Sequence, residues 1–493
     1  MEPQPTATTD ATADAPDARD APAVRHAHLL GICGTGMTAL AGLLQQRGIA
    51  VTGSDEHVYP PMSDHLASLA IPVTEGYAPE NIPAGADLIV VGNVIREANP
   101  EAAEMRRRGL PFVSMAEAVR RFAIGSRRSI VVAGTHGKTT ITALAAHTLR
   151  ELGADPGFLI GGIARNFGSN FHLGGGDRFV IEGDEYDTAY FDKTPKFFKY
   201  NPHTLLFTSL EFDHGDIYPD LEAIRLQFAR LMELLPPGGL LVAHGDDPQV
   251  AALLPRARCP VVTYGLGERN ECRLSGVRVD AEGTAFRTAW RGEANSWHIP
   301  LAGGYNALNA AAVAVLAQSL GYAPDAVQAA FATFQGVKRR QEIRGEANGV
   351  TVIDDFAHHP TAVRLTVEAV CQRFPGRRLW AVFEPRSFTA RSDRFQAEFG
   401  EAFGGAHRVL LAPAFRSDYS AGTAPLDTAA VAAAIAGGGI PAEACTGTDA
   451  ILHALARETE PGDVVLVMSN GGFDNLHDRL LAALAERQPE PHP

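Results

Sequence analysis

Lys138, Thr139 and Thr140 close the run Gly134-Thr135-His136-Gly137. The apolar stretch Ile130-Val131-Val132 leads into it, and an Ala/Leu-rich helical pattern follows at once. Strand, glycine loop and helix is the arrangement in which backbone N–H groups at a helix start receive phosphate oxygens. A lysine placed there reaches the β/γ-phosphates, and a threonine hydroxyl binds Mg²⁺. The loop is shorter than the full phosphate-loop pattern, which needs glycine where Val132 stands. A glycine turn that only packs helix on strand is the bland alternative. Nearby acids weigh against it. Glu182, Asp184, Glu185 and Asp187 end one β run (178–187), and Asp213 and His214 end the next (203–216). Carboxylate oxygens suit Mg²⁺, with phosphate oxygens completing its shell. Acids at such places also serve as solvated loops or helix caps, but a lysine-bearing glycine loop in the same region favours metal.

Other residues have chemistry of their own. Asn306 and Asn309 are three apart in an Ala-rich helical pattern, so they share a face. Their amides suit an adenine edge, although helix capping is the commoner use of asparagine. Asp354, Asp355, His358 and His359 end the β run 348–360, and Arg386 and Arg391 end the run 377–391. A His pair alone is more often structural, and an Arg pair is usually solvated. Their shared place at strand carboxyl ends makes a functional reading about as strong. Near the start, Gly31, Gly34 and Gly36 form a turn after HAHLL. It lacks the spacing of a dinucleotide fingerprint, because Cys33 stands where a glycine is needed. Ser54-Asp55 end the following strand, about 20 residues on, where an acid commonly meets a ribose hydroxyl.

The elements that must position these groups alternate between strand and helix. Residues 25–124 read as a Rossmann-like unit, 125–336 as a central unit with a β-rich excursion at 259–300, and 337–493 as a further α/β unit. Helix 221–235 contains no lysine, and residues 158–176 read as a Gly-rich segment. Residues 1–24 are Ala, Pro, Asp and Thr with almost no large apolar group, and read as a disordered tail. A chain of 493 residues needs more than one core. The net charge of −14 argues against general affinity for nucleic acid or anionic membrane. Five scattered cysteines without a C-x-x-C pair support neither a disulfide framework nor a zinc site, and fit a reducing cytoplasm. No apolar run approaches the length of a membrane span.

GTHGKTT, EGDEYD, EFDH, YNALN, KRRQE and DDFAHHP occur in this order over nearly the whole chain. Together they resemble the Mur ligase family, the ATP-dependent amide-forming enzymes of peptidoglycan synthesis. HLLGICGTGM followed by TGSD is similar to the members that act on UDP-N-acetylmuramate. DEYDTAYFDK, LEFDHGDIY, FEPRS and VMSNGGF look like the members that attach the tripeptide L-alanyl-γ-D-glutamyl-meso-diaminopimelate in peptidoglycan recycling. They look less like those that add L-alanine. The resemblance implies a three-domain α/β architecture, with Rossmann-like N- and C-terminal domains around a P-loop-type ATPase domain. It implies ATP and Mg²⁺, a cytoplasmic enzyme, no nucleic-acid or membrane partner, and a monomer or weak homodimer.

Residue by residue, Gly134 to Thr140 would hold ATP with Asn306, Asn309, Arg340 and Asp355. Thr139, Glu185 and His214 would hold metal. Gly34, Thr35, Gly36, Met37, Ser54 and Asp55 would hold the UDP-sugar. His358 and Arg386 would face the amine substrate, with Lys138, Arg340 and His358 acting in catalysis. The family often has His where Tyr305 stands, and some members carry a carbamylated lysine after the metal histidine. No lysine is present for that here. The alternatives are L-alanine as the amine, a folate- or cyanophycin-type ligase, or a nucleotide sensor without turnover.

Overall fold

The computed structural model describes residues 24–59, 62–415 and 424–487, and in it three sheets follow one another along the chain. The tail expected over 1–24 lies, apart from Val24, outside the described residues. The first sheet contains β1 (His26–Leu30), β2 (Ala50–Asp55), β3 (Val73–Glu75), β4 (Leu88–Val91) and β5 (Phe112–Ser114). Its order is β3-β2-β1-β4-β5, and every pairing is parallel. That is the Rossmann order, so the turn after β1 stands where the strand order reverses. Helix Thr35–Gln46 leaves that turn, and helix Pro100–Arg107 starts where the Asn99 side chain accepts from the Glu101 and Ala102 amides.

A buried polar knot fixes this unit. Glu101 is 0% exposed and accepts from Ser54 Oγ (2.5 Å), Asn81 Nδ2 (2.7 Å) and the Ala78 amide (3.2 Å), with His28 Nε2 at 3.3 Å. Burial would raise its pKa, but these donors outweigh burial and hold it below the usual range. Glu101→Ala would strand the donors, and is expected to cost about 3 kcal/mol of stability, read from urea unfolding. A depressed folded pKa contributes stability above the unfolded carboxyl value of about 4.3. The wild-type advantage over Glu101→Ala should therefore shrink as pH falls below that value.

The second sheet begins with β6 (Arg128–Ala133), β7 (Gly157–Ala164), β8 (Ser169–His172) and β9 (Arg178–Glu182). A small separate hairpin, β10 (Asp187–Ala189) and β11 (Asp192–Pro195), comes next. The sheet continues with β12 (Pro202–Phe207), β13 (Leu240–His244), β14 (Val261–Gly265), β15 (Cys272–Val279), β16 (Thr284–Trp290) and β17 (Glu293–Ile299). The order is β17-β16-β15-β14-β13-β12-β6-β9-β7-β8. β12, β6 and β9 are mutually parallel, so the ends that carry Gly134, Glu182 and Thr208 lie on one edge. The β-rich excursion is three antiparallel strands added to that sheet.

The Gly-rich segment 158–176 carries most of the β7–β8 hairpin. Several of its glycines answer to crowding. A Cβ at Gly161 would lie 2.4 Å from Glu182 Oε2, so the strand passes directly over that carboxylate. The Ala-rich helix Gly304–Ser319 is buried along most of its length against this sheet and helix Lys138–Glu151. Small side chains allow that close approach.

The third sheet contains β18 (Glu342–Ala347), β19 (Val350–Asp355), β20 (Leu379–Phe383), β21 (Arg408–Leu411), β22 (Ala442–Ala444) and β23 (Val464–Met468). The order is β18-β19-β23-β20-β21-β22, with only β18 antiparallel. The run 377–391 is shorter than the sequence predicts: β20 stops at Phe383, and Arg386 and Arg391 follow in a loop. One apolar core runs from helix Thr35–Gln46 into the second sheet, with Gly42 packed on Phe171 of β8. Among the described residues, no helix is long and apolar enough to cross a membrane.

Candidate active site

The glycine loop is threaded through a tight passage. Gly134 takes φ 129°, and a Cβ there would meet Thr208 Oγ1 at 2.2 Å and Ser209 O at 2.8 Å. Gly137 takes φ 81°, and its Cβ would meet Asn309 Oδ1 at 2.6 Å. The Thr135 amide donates to Ser209 O (2.9 Å) and the His136 amide to Ser209 Oγ (3.1 Å). No side chain caps the helix that begins at Lys138. Its free amides and dipole suit an anion.

Beneath the loop lies a buried cluster of charge. Lys138 Nζ donates to both oxygens of Glu185, at 2.8 and 3.0 Å, and to Gly134 O at 2.7 Å. His214 Nε2 is 2.8 Å from Glu185 Oε1. Burial opposes every one of these charges, but the mutual attraction wins. Glu185 is held below the usual carboxylate range by Lys138 and His214, while Glu185 raises both partners. His214 takes φ 57°, uncommon for a side chain with a Cβ. Its amide donates to Asp213 Oδ1 (2.7 Å), its ring meets Tyr186 edge-on at 4.3 Å, and Tyr218 OH donates to Glu185 O (2.7 Å). These contacts hold the imidazole against the carboxylate.

A second carboxylate stands beside the first. Glu182 accepts from Thr139 Oγ1 (3.1 Å) and from the Gly161 amide (2.7 Å). Burial raises its pKa against the pull of Lys138 and Arg340. Arg340 comes from the linker before β18, and its Nη2 donates to Thr139 Oγ1 at 3.3 Å. Its guanidinium lies over the Phe356 ring, 4.7 Å from the centroid. The structure therefore brings Lys138, Thr139, Glu185, His214 and Arg340 into one cluster. An ionised carboxylate, a threonine hydroxyl and an imidazole form a donor set that fits a hard divalent cation.

Other predicted residues are engaged internally. Asp355 Oδ2 accepts from the Gln341 amide (2.7 Å) and Oδ1 from the Ala357 amide (2.8 Å), which pins the linker. Asn306 Nδ2 donates to Ala302 O and Asn309 Nδ2 to Asn306 Oδ1, so the pair backs Gly137. Gln341 Nε2 donates to the hydroxyl of Tyr305. A cavity of about 360 Å³ opens beside this helix, lined by Leu266, Leu274, Gly304, Tyr305, Leu308 and Ala369. Thr140 is buried in the first turn of its helix.

His358 Nδ1 lies 3.0 Å from Phe356 O, and its Nε2 lies 3.8 Å from Asp213 Oδ2, in the loop that carries His214. Arg386 is further off. It stacks on Phe415 (3.8 Å) near Glu384 (3.7 Å), and a Cβ on Gly471 would strike its guanidinium at 2.3 Å. In the first unit, Gly34 and Thr35 are exposed at the start of helix Thr35–Gln46, while Met37 is buried. Asp55 Oδ2 accepts from the Cys33 amide (2.8 Å) and so shapes the turn. Ser54 is buried, and its hydroxyl points inward to Glu101 rather than to the turn's open side.

Sequence reasoning assigned no role to Glu211, Gln341 or Tyr218. Glu211 meets His136 Nε2 at 3.0 Å and His359 Nδ1 at 3.3 Å. Burial would raise it, but His136 holds its carboxyl at about 2. The available signal was its place two residues before Asp213, at the same strand end.

Comparison with known proteins agrees with this geometry. The family models "Mur ligase family, catalytic domain", "Mur ligase middle domain" and "Mur ligase, glutamate ligase domain" match residues 26–127, 132–317 and 339–471. UDP-N-acetylmuramate--L-alanyl-gamma-D-glutamyl-meso-2,6-diaminoheptandioate ligase of Escherichia coli is 38% identical, over 93% of this chain and 98% of that protein. UDP-N-acetylmuramate--L-alanine ligase of Rubrobacter xylanophilus is 36% identical, over 93% and 99%. The crystal structure of a murein peptide ligase from Psychrobacter arcticus superposes with a TM-score of 0.71 at 31% identity, covering 94% of this chain and 100% of that one. With three family models in sequence order and relatives matched from end to end, the chain belongs to the Mur ligase family.

Proposed function

We propose that this chain joins L-alanyl-γ-D-glutamyl-meso-diaminopimelate to UDP-N-acetylmuramate at the expense of ATP. One observation carries the ligase reading: the buried Lys138–Glu185–His214 cluster under an uncapped helix start, faced by Arg340. It gathers cations where the charge of a transferring phosphoryl group spreads. The peptide as amine rests on the likeness to the Escherichia coli and Psychrobacter arcticus proteins.

The turn Gly34–Met37 and Asp55 bind the UDP-sugar, and the cavity beside Tyr305 takes the adenine. The loop amides and Lys138 hold the phosphates. Mg²⁺, held by Thr139, Glu185 and His214, would neutralise phosphate oxygen charge. The sugar's carboxylate is a poor acceptor for an amine, so it first attacks the γ-phosphorus of ATP. An acyl phosphate forms and ADP leaves, with Lys138 and Arg340 stabilising the charge. The peptide amine, deprotonated by His358, attacks the acyl carbon, and the tetrahedral adduct expels phosphate. Arg386 orients a peptide carboxylate. Contacts between the second and third units, such as the Gly215 amide donating to Thr389 Oγ1 (3.2 Å), close the site against water. The enzyme works in the cytoplasm, where ATP and the sugar nucleotide are found.

The test is ADP release by one purified sample with the tripeptide and with free L-alanine. Turnover with the tripeptide should exceed that with L-alanine by at least ~10²-fold in kcat/KM, because a site built for the larger amine leaves polar groups unpaired with the smaller. Equal or greater turnover with L-alanine would overturn the choice of amine. No ADP with any amine would overturn the ligase reading.

A further inference from the structure

Beside the glycine loop, which carries His136, three side chains of metal-ligating type from two units converge. His136 Nε2, an oxygen of Glu211 and a ring nitrogen of His359 all lie within 4.8 Å of one another. His136 and Glu211 belong to the second unit, and His359 begins helix Pro360–Arg373 of the third. The His359 tautomer is legible from its neighbours. Its Nε2 is 3.2 Å from Phe212 O, which only an N–H can approach, so Nε2 carries the proton. The Thr361 amide donates to Nδ1 at 3.3 Å, so Nδ1 is unprotonated, and it lies 3.3 Å from Glu211 Oε2. Two acceptors this close are poorly matched, and a cation between them would take the Nδ1 lone pair in place of the long Thr361 contact. The Phe395 ring, 4.8 Å away and edge-on, and the Phe212 carbonyl fix the imidazole in this orientation. The Glu211 side chain is 37% exposed, which leaves a path from solvent.

We propose that His136, Glu211 and His359 form a second cation site, selective for a borderline divalent ion such as Zn²⁺, that ties the third unit to the phosphate loop. Two imidazoles and one carboxylate suit zinc, nickel or cobalt rather than Mg²⁺, which prefers oxygen. Bonds of about 2.0–2.1 Å to zinc would draw the three side chains inward from their present spacing. The fourth position is open to water. The site is separate from Thr139, Glu185 and His214, which together supply one imidazole.

The test uses the full chain, stripped with chelator and held in excess Mg²⁺. Zinc binding is measured by competition with a chromophoric chelator. One equivalent should bind, and affinity should fall by at least ~10-fold in His359→Gln and in Glu211→Gln, since loss of a ligand costs no less than loss of the group that orients one. X-ray absorption of the zinc-loaded wild type should show two imidazoles, a result that needs no variant to fold. Absence of binding would overturn the proposal. So would affinity unchanged in both variants, loss of binding only in Glu185→Gln, or a spectrum with a single imidazole.

Discussion

Replacing Lys138 by methionine is expected to lower kcat for ADP formation about 10³-fold, with UDP-sugar affinity by calorimetry unchanged. The separation follows from the architecture. The turn at Gly34–Met37, the proposed sugar site, belongs to the first unit, while the Lys138 ammonium bonds Gly134 and Glu185 in the second. The same change should cost about 3 kcal/mol of stability, because it leaves Glu185 buried with His214 as its one remaining ion-pair partner among the described residues. The two effects come apart in the double variant Lys138→Met/Glu185→Gln. Removing both charges restores most of the stability, since no uncompensated charge remains, but activity stays lost. If Lys138→Met kept near-normal ligation, the phosphate site would lie elsewhere.

How much of this was legible beforehand depends on what fixes each residue. The Gly134–Thr140 loop and the acids after β9 and β12 could be read because parallel strands bring their carboxyl ends to one edge. Local sequence therefore implied spatial proximity. The sequence places Arg386 and Arg391 at a strand end because an apolar run does not mark where pairing stops; β20 stops at Phe383, in register with Met468 of β23. The β7–β8 hairpin was hidden because its glycines weaken strand propensity. What requires Gly161 is the Glu182 carboxylate, which reaches it only in the folded sheet. The spacing of Asn306 and Asn309 implies a common helix face, and on it Asn309 bonds to Asn306 and Asn306 to Ala302, with Asn309 beside Gly137. Glu211 and Gln341 stand in the EFDH and KRRQE motifs, but the sequence gives them no role because their partners, His359 and Tyr305, lie far along the chain.

The linker arginine leads to the other large effect. Arg340→Ala is expected to lower kcat by about 10³-fold, the usual worth of an arginine that meets a transferring phosphoryl group. Its neighbours say why the effect should fall on kcat rather than on substrate affinity. Arg339 takes φ 62° and Gln341 takes φ 48°, conformations that cost roughly 1–2 kcal/mol each for side chains with a Cβ. Both are held by the third unit. Arg339 Nη2 donates to Ser469 O (2.7 Å) and Gly471 O (2.6 Å), and the Gln341 amide donates to Asp355. Arg340 is thus a rigid arm of the third unit, stiffened further by Phe356 beneath its guanidinium. With the third unit packed on the second, it reaches Thr139. Arg340 lies in the linker before the third sheet and the proposed sugar turn in the first unit, so KM for the UDP-sugar should change less than ~3-fold while kcat falls. Arg340→Lys should recover little, because an ammonium lacks the planar fork and stacks poorly on phenylalanine. A loss of less than ~10-fold in kcat for Arg340→Ala would mean that the arm fastens the closed units without touching the phosphoryl group.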